Sequence, residues 1–439
     1  MKSIYRVLAI VLFITATHSC KTIPVVDSSL PFKEQLTQLF PTASIDAIKT
    51  GDHFTEAYQV VMNQPLDPKN PSKGTFKHYM YVSHSSYEQP TVLITDGYAS
   101  NNRTSELSKV LKGNQIIVEY RMYGKSRPNP LPWEYLTNDN AIEDYHNIVT
   151  KMKAIYKGKW LSSGISKGGE TTLIYRSKYP KDVDVAVPYV APIIDGVEDQ
   201  RTNDLINSVG TDACRLAIKK YQRAILHNRE AVLTIMKQHA AAKNMKFTKV
   251  PYEEALEYAV LEFPFSFWQW GGKCEAIPAE DASPQELFDY VNTIVGVSFY
   301  SDAIFEYYLP SFYQHVKELG YYGFDLEPVK DLLKVVKSAT NKRFAPSNVD
   351  LTYNPNYIKK VRNYIENKGD KILYIYGAYD PWGACAPSPK PHVDALMMVL
   401  DGADHSTRIK HFSKEDQEKI YTKLQEWLGE ETTVYPLNK

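Results

Sequence analysis

The sequence feature that most constrains the fold is a serine flanked by glycines, in the stretch Gly164-Ile-Ser166-Lys-Gly168. A serine with this spacing sits on a tight turn between a strand and a helix, where side chains two residues away would clash. The strand-like stretch 160–163 precedes the motif, and the helix-like stretch 169–178 follows it. The motif therefore predicts an exposed nucleophile at Ser166. The alternative is a glycine-rich turn that merely connects a strand to a helix.

Strand and helix patterns alternate around this motif. Short apolar runs at 91–95 and 116–118 are typical of buried strands in a parallel sheet. Apolar residues in 141–155 recur at the helical period, and strand patterns return at 371–376 and 394–400. Alternation of this kind predicts an α/β fold with a doubly wound sheet.

The alternation stops between residues 199 and 350, where the sequence is mostly helix-like and rich in aromatic residues. We therefore predict a sheet domain made of 51–198 and 351–432, with a helical cap at 199–350 inserted between the two halves. An insertion of this size can cover the carboxyl edge of the sheet, where α/β proteins bind their ligands. The aromatic stretch 263–270 either lines pockets at this edge or packs inside the cap.

A serine nucleophile needs a base, and the base needs an acid to orient it. In an α/β-hydrolase these residues follow the serine in the order acid, histidine, each in a loop after a strand. Asp380 follows the strand pattern 371–376, and His405 follows 394–400. We therefore predict a catalytic triad of Ser166, Asp380 and His405.

Other interpretations of these two residues stay open. Asp401 and Asp404 compete with Asp380 for the role of the acid, although Asp404 adjoins His405, and neighbouring side chains on a loop rarely pair well. Alternatively, Asp380 belongs to an Asp-Pro turn and His405 is a histidine of a surface loop.

The oxyanion of an acyl-transfer reaction needs two backbone N–H donors, one after the nucleophile and one from the loop after an earlier strand. These positions predict the N–H groups of Lys167 and Tyr98, with a plain turn as the alternative for Tyr98. Ser166 would attack a carbonyl, and water would then release the acyl-enzyme.

Several stretches resemble the mycelial-type tripeptidyl aminopeptidase family of serine peptidases, a relative of lysosomal Pro-X carboxypeptidase and dipeptidyl peptidase II. The stretches are 64–67 with 74–76, Glu119-Tyr-Arg-Met-Tyr-Gly-Lys-Ser126, Gly164-Ile-Ser-Lys-Gly-Gly169, 177–180 and 189–192. The resemblance spans about residues 50–430. It implies an α/β-hydrolase with a helical cap that releases short peptides, such as tripeptides, from free N-termini, with Ser166, Asp380 and His405 as its triad.

Two positions bear on the branch of the family. Lys167 stands where the prolyl relatives usually have tyrosine, which favours the mycelial branch. Tyr120 stands where they usually have histidine, which weakens any claim of cleavage after proline. An aminopeptidase also needs a carboxylate for the substrate's ammonium group. Glu119, directly after a predicted strand, is the candidate. Its alternative is a structural pair with Arg121 or a lysine.

Residues 1–20 have the features of a secretory signal: a basic start, the apolar run 7–16 and a small-residue exit. Cys20 stands where a bacterial lipoprotein signal places its lipidated cysteine. We therefore predict an exported lipoprotein of the cell envelope, periplasmic or surface-exposed, held at the membrane only by this anchor, with 21–50 as a tether. Ordinary signal cleavage and soluble secretion, or a short buried helix, are the alternatives.

The charge balance of the chain bears on the kind of molecule that it binds. Lys+Arg and Asp+Glu both number 51, whereas a chain that coats nucleic acid carries a basic excess. Peptide is the predicted partner, and nucleic acid is not. Nothing has zinc-ligand spacing, so we predict no metal and no cofactor. After Cys20, we predict a disulfide between Cys214 and Cys274 that leaves Cys385 over, with three free buried cysteines as the alternative.

Two other functions use the same features. A carboxylesterase or lipase would have the same triad, because the fold does not fix the substrate. A binding lipoprotein with an inactive hydrolase site is the third possibility. An intact serine, acid and histidine in the correct order argue against that loss of activity.

Overall fold

The computed structural model describes residues 25–437, so the predictions for the signal at 1–20 and for Cys20 lie outside the described residues. One nine-stranded sheet runs through the molecule in the order β1-β2-β3-β5-β4-β6-β7-β8-β9. The strands are β1 (Ser44–Ala47), β2 (Glu56–Pro65), β3 (Thr75–His84), β4 (Thr91–Thr95), β5 (Asn114–Val118), β6 (Trp160–Ile165), β7 (Val185–Tyr189), β8 (Ile372–Gly377) and β9 (Ala395–Leu400).

Helices alternate with strands from β4 to β7, and a run of helices then fills the segment between β7 and β8. In chain order they are α1 (Phe32–Leu39), α2 (Glu106–Leu111), α3 (Asn138–Met152), α4 (Lys167–Lys178), α5 (Arg201–Ile206), α6 (Asp212–His227), α7 (Arg229–Ala242), α8 (Tyr252–Gln269), α9 (Pro284–Ile294), α10 (Asp302–Gln314), α11 (Pro355–Lys368) and α12 (Lys414–Leu428). A π-helical turn, His315–Leu319, continues α10.

The sheet combines two kinds of pairing. β1, β2 and β3 form an antiparallel meander, and β3 also pairs antiparallel with β5. From β5 to β9 all neighbouring strands are parallel, so their carboxyl ends meet at one edge. β4, β5, β6 and β7 are buried along almost their whole length, as expected of strands covered on both faces. The predicted α/β-hydrolase sheet is confirmed.

Apolar side chains cover both faces of the sheet. α1, α3, α4 and α11 contribute buried residues to one face, among them Phe32, Ile148 and Leu173. α2 and α12 contribute to the other face, among them Leu107 and Leu424. This double cover holds the parallel strands rigid and leaves their carboxyl edge as the place where loops can build a site.

The prediction of a tether at 21–50 is wrong over residues 32–47. Phe32, Leu36 and Leu39 recur on one side of α1, and all three are buried against the sheet. β1 then pairs antiparallel with β2, with Ile45 opposite Val60. The four residues of β1 are too few for a recognisable apolar pattern. The strand forms only by pairing with β2, more than ten residues further along the chain.

The cap has an apolar cluster of its own, built mainly from α6 to α10. Within the cap, α8 continues through Pro264 to Gln269, so much of the aromatic stretch 263–270 is helical. The disulfide between Cys214 and Cys274 is present, and Cys385 is free and buried. Among residues 25–437, no helix combines the length and the apolar character needed to span a bilayer.

Candidate active site

Ser166 lies on the turn between β6 and α4. Its backbone φ of 57° and ψ of −126° are strained for a residue with a side chain. The neighbouring glycines permit this turn because a Cβ on Gly164 would lie 2.2 Å from the carbonyl oxygen of Gly168. A Cβ on Gly168 would lie 2.6 Å from the carbonyl oxygen of Thr95. The turn therefore presents the serine at the carboxyl edge of the sheet.

His405 and Asp380 meet at the same edge. The Nδ1 of His405 is 2.7 Å from Oδ2 of Asp380, and both side chains are buried. Since the carboxylate accepts, Nδ1 carries the hydrogen, and Nε2 is left as the base. The other oxygen of Asp380 accepts from the backbone N–H of Trp382. His405 lines the same cavity as Ser166.

The two competing acids are placed elsewhere. The carboxylate of Asp404 accepts hydrogen bonds from the backbone N–H and the hydroxyl of Ser406. Asp401 is exposed on the surface. Asp380 is therefore the carboxylate that orients His405.

The loop after β4 lies against the first turn of α4. A Cβ on Gly97 would be 2.7 Å from the backbone nitrogen of Gly168, so only glycine allows this approach. Tyr98 and Lys167 both line the cavity beside Ser166. Within residues 25–437, neither of their backbone N–H groups donates to a protein acceptor. Two free donors next to the serine are what an oxyanion requires.

The cavity has a volume of about 530 Å³ and lies between the sheet edge and the cap. Its floor carries Tyr98, Ser166, Lys167, Glu170 and His405. Its cap wall is largely aromatic and includes Glu262, Phe265, Trp270, Phe299, Tyr308, Ser311, Phe312, His315, Tyr321 and Tyr322. This volume is within the range of small-molecule and short-peptide sites.

The cap is joined directly to the catalytic histidine. The backbone N–H of His405 donates to the carbonyl oxygen of Gln269, the last residue of α8, at 3.0 Å. The ring of Trp270 meets the ring of His405 edge-on, with 5.6 Å between centroids. The base is thus positioned by the cap as well as by Asp380.

Glu170 is the most unusual group in the cavity. It lies on α4, one turn after Ser166, and is fully buried. Neither carboxylate oxygen has a hydrogen-bond partner among the described residues. Burial raises the pKa of Glu170 to about 8, and the neighbouring Lys167 opposes this rise. At neutral pH the buried group is therefore largely protonated, and a cation placed beside it would stabilise its ionised form.

His315 adds a second acceptor from the cap. Its Nδ1 faces the carbonyl oxygen of Gly320 at 3.1 Å, so Nδ1 carries the hydrogen and Nε2 has a free lone pair. Nε2 has no partner within the part of the chain that the structure describes. Burial, with the charge of Lys167, lowers the pKa of His315 to about 3, which keeps the ring neutral.

Glu262 is a half-buried carboxylate in a different state. Burial raises its pKa to about 7, while hydrogen bonds from the hydroxyls of Tyr322 and Ser266 oppose the rise. Both of its oxygens are therefore already satisfied within the cap.

Glu119 is not placed to bind a substrate, so the prediction of its role needs correction. It does not line the cavity, and its carboxylate accepts from the backbone N–H groups of Ser100 and Ser126 and from the Ser126 hydroxyl. It holds two loops together at the end of β5. The alternative pair with Arg121 is not formed either, because Arg121 binds Asp144 at 2.8 Å.

The sequence interpretation missed Glu170 and His315. The available signal for Glu170 was a glutamate directly after the Ser-Lys-Gly-Gly stretch, on a helix buried almost all round. His315 carried no local signal. Among residues 25–437, no group of three or more His, Cys, Asp or Glu side chains is arranged to hold a metal ion.

Relatives of the chain are known. The family model described as PS-10 peptidase S37 matches residues 33–435. The chain is 30% identical over 381 residues to prolyl tri/tetrapeptidyl aminopeptidase of Streptomyces mobaraensis, covering 83% of this chain and 79% of that protein. It is 25% identical over 182 residues to prolyl carboxy peptidase like protein 5 of Caenorhabditis elegans, covering 36% and 35%.

Among solved structures, proline iminopeptidase of Mycobacterium smegmatis aligns over 88% of this chain and 98% of its own. The identity is 14% and the TM-score is 0.36. The fold assignment rests on the sheet topology described above.

Proposed function

The chain belongs to the S37 family of serine peptidases, as its resemblance predicted, and from this premise we propose that it is an aminopeptidase that releases tripeptides from free N-termini. The relative from Streptomyces mobaraensis, named as a tri/tetrapeptidyl aminopeptidase, supports this product class. The proposal also requires a feature of the site itself, because a family does not define which end of a peptide an enzyme holds.

That feature is the pair of unpartnered acceptors in the cavity. The carboxylate of Glu170 and Nε2 of His315 are buried and have no hydrogen-bond partner among the described residues. A substrate's N-terminal ammonium brings three donors and a positive charge, which would satisfy both. A buried acceptor left unpaired costs about 1–3 kcal/mol, so binding the ammonium recovers this cost. This is the observation that carries the proposal.

The proposed reaction then follows from the geometry. With its ammonium held by Glu170, the peptide lies in the cavity with a carbonyl at Ser166. His405 takes the proton of the Ser166 hydroxyl and gives it to the leaving amine. The N–H groups of Tyr98 and Lys167 stabilise the oxyanion. Water, activated by His405, then frees the short peptide from the acyl-enzyme.

We also propose that the chain is exported and anchored through Cys20. The basic start and apolar run of residues 1–16 support export. A disulfide between Cys214 and Cys274 is in keeping with an oxidising compartment. The test is metabolic labelling with a radioactive fatty acid, followed by fractionation. Label on the wild type and none on Cys20→Ala would support the anchor. Release of the unlabelled wild type into the medium would contradict it.

The test of activity uses a soluble form that starts after Cys20. It is incubated with a peptide library, half of it N-acetylated, and the products are identified by mass spectrometry beside Ser166→Ala. We expect tripeptides only from free-amine peptides, and none from the variant. Intact peptides together with hydrolysed simple esters would favour the carboxylesterase alternative. Cleavage of acetylated and free peptides alike would exclude ammonium recognition.

Two matched substitutions locate the ammonium site. Glu170→Gln keeps the shape but removes the charge, and we expect kcat/KM for free-amine peptides to fall roughly 10- to 100-fold, as for one lost charge-assisted hydrogen bond. Glu262→Gln makes the same change at a carboxylate already bonded inside the cap, and its loss should be smaller. The reverse order would move the proposed ammonium site to Glu262.

A further inference from the structure

We propose that the side chain of Lys167 is a positioning residue that fixes the oxyanion donor of Tyr98 by binding the carbonyl oxygen of Gly97. The inference rests on the acyl-enzyme mechanism proposed above, but not on the length of the peptide released. It assigns a task to a buried cation that the triad does not use.

The geometry of one peptide group carries the inference. Nζ of Lys167 donates to the carbonyl oxygen of Gly97 at 2.9 Å. This carbonyl and the N–H of Tyr98 belong to the same peptide bond, which is trans and planar, so the two point in opposite directions. Holding the oxygen on one side therefore fixes the direction of the N–H on the other side, where it faces the oxyanion.

The neighbouring carbonyls are held in the same way. The hydroxyl of Tyr145 donates to the carbonyl oxygen of Asp96 at 3.1 Å, and the backbone N–H of Tyr120 donates to that of Tyr98 at 3.1 Å. Three successive carbonyls thus have donors, and Lys167 supplies the middle one. Without it, the peptide next to the oxyanion would be the one free to rotate.

The surroundings of the ammonium argue against a purely stabilising role. Lys167 is 2% exposed, and its Nζ lies 3.7 Å from the ring centroid of Tyr120 and 5.2 Å from that of Tyr123. It forms no ion pair within residues 25–437, since Glu170 and Glu318 influence it only from a distance. Burial lowers the pKa of Lys167 to about 7. An apolar side chain of the same length would fill this space without the cost of desolvation.

Lys167 would then serve the oxyanion twice. Its own backbone N–H is the first donor, and its side chain orients the second. The hydrogen bond from Nζ to the Gly97 carbonyl also polarises the peptide, more strongly when the amine is protonated, which makes the Tyr98 N–H a stronger donor.

The experiment replaces Lys167 with methionine in the full chain. Removing one oxyanion donor costs about 10²–10³ in kcat, so misaligning one should cost roughly 10- to 100-fold. We expect KM for a chromogenic tripeptide amide to change less than about threefold and the melting temperature not to fall. Thr171→Val, which removes a buried hydroxyl bonded to the Lys167 carbonyl, is the control and should retain kcat.

A tripeptide aldehyde separates positioning from structure, because its adduct with Ser166 carries the oxyanion. Its inhibition constant should weaken in Lys167→Met by the same factor as kcat, while binding of the tripeptide product stays unchanged. Unchanged kcat and aldehyde inhibition would overturn the proposal. Equal losses of product binding and melting temperature would also overturn it, by making Lys167 a structural residue.

The role of Lys167 can be tested even if the protein is not an aminopeptidase. If the wild type cleaves no peptide amide, kcat and inhibition are measured with a simple ester of the same acyl group. Lower kcat and weaker aldehyde inhibition in the variant alone would then still support the role of Lys167, although the aminopeptidase proposal would have failed.

Discussion

The catalytic loops of the sheet and the groups that face the cavity beneath the cap differ in how their hydrogen bonds are satisfied. In the loops, His405 is bound to Asp380, and the carbonyl of Gly97 is bound to Lys167. In the cavity, Glu170 and Nε2 of His315 have no partner among the described residues. The hydrogen bonds of the catalytic loops are therefore made within the chain, whereas the proposed recognition groups would find their partners on a substrate. Chemistry and recognition should respond separately to substitution.

The largest expected effect is that of Ser166→Ala. Removing the nucleophile should lower kcat by about 10⁶. The recognition groups are untouched, so the variant should bind a free-amine tripeptide as the wild type does. Single-turnover assays measure the first effect and calorimetry the second. Loss of binding in the variant would show that the two regions are not separable.

The next effect is that of Asp380→Asn, which keeps the shape but favours the wrong tautomer of His405. A loss of about 10⁴ in kcat is expected, with KM nearly unchanged. Asp404→Asn is the matched control, because its carboxylate binds Ser406 and not the histidine. Steady-state kinetics of the two variants show which aspartate is the acid of the triad. A larger loss in the control would return Asp404 to the role of the acid.

Two buried ion pairs extend the comparison to stability. Arg121 and Asp144 lie in the sheet domain, and Arg229 and Glu257 lie within the cap; all four side chains are at most 4% exposed. Removing one partner of such a pair typically costs about 3–5 kcal/mol.

We therefore expect Asp144→Ala and Glu257→Ala to lower the free energy of unfolding by similar amounts in urea titrations. Only the first should also weaken labelling of Ser166 by a fluorophosphonate under native conditions, since Arg121 anchors the loop that follows β5. Equal loss of labelling in both variants would show that the cap pair supports the catalytic edge as well.

The smallest expected effect is a pH dependence of recognition. The pKa of Glu170 is raised to about 8, so its carboxylate is lost as the pH falls below that value. The α-amino group of a peptide, with a pKa of about 8, loses its charge as the pH rises. The ratio of kcat/KM for a free-amine peptide to that for its N-acetyl form should therefore peak near pH 8 and fall several-fold by pH 6.

The ratio cancels every effect that is common to both substrates. Lys167 and His315 also face this region, and Glu170→Gln isolates the contribution of the carboxylate by removing its titration. A ratio that stays flat from pH 6 to 9 in the wild type would contradict a role for Glu170 in binding the ammonium.

Local pattern was sufficient to predict the catalytic loops. Ser166, Asp380 and His405 each follow a strand, and parallel strands end at one edge, so their meeting could be inferred from order alone. Glu119 follows a strand too, yet the chain turns after β5 and Ser126 binds its carboxylate. The order of elements predicts which loops meet, but not which way each side chain turns.

The recognition groups could not be predicted, for a different reason. The role proposed for Glu170 depends on its burial and on its place in the same cavity as His315, which lies on a π-helical turn more than a hundred residues away. Burial and contact across such separations depend on tertiary packing, which a local pattern does not contain. β1 was missed for the same reason, since only its pairing with β2 makes it a strand.

The hydrogen bond from His405 to Gln269 has an evolutionary consequence. A descendant that exchanged its inserted segment for another would lose the acceptor that helps to hold its catalytic base. The turn at 269–272 must therefore keep the position of the Gln269 carbonyl for the sake of His405, although the two residues are encoded in different parts of the gene.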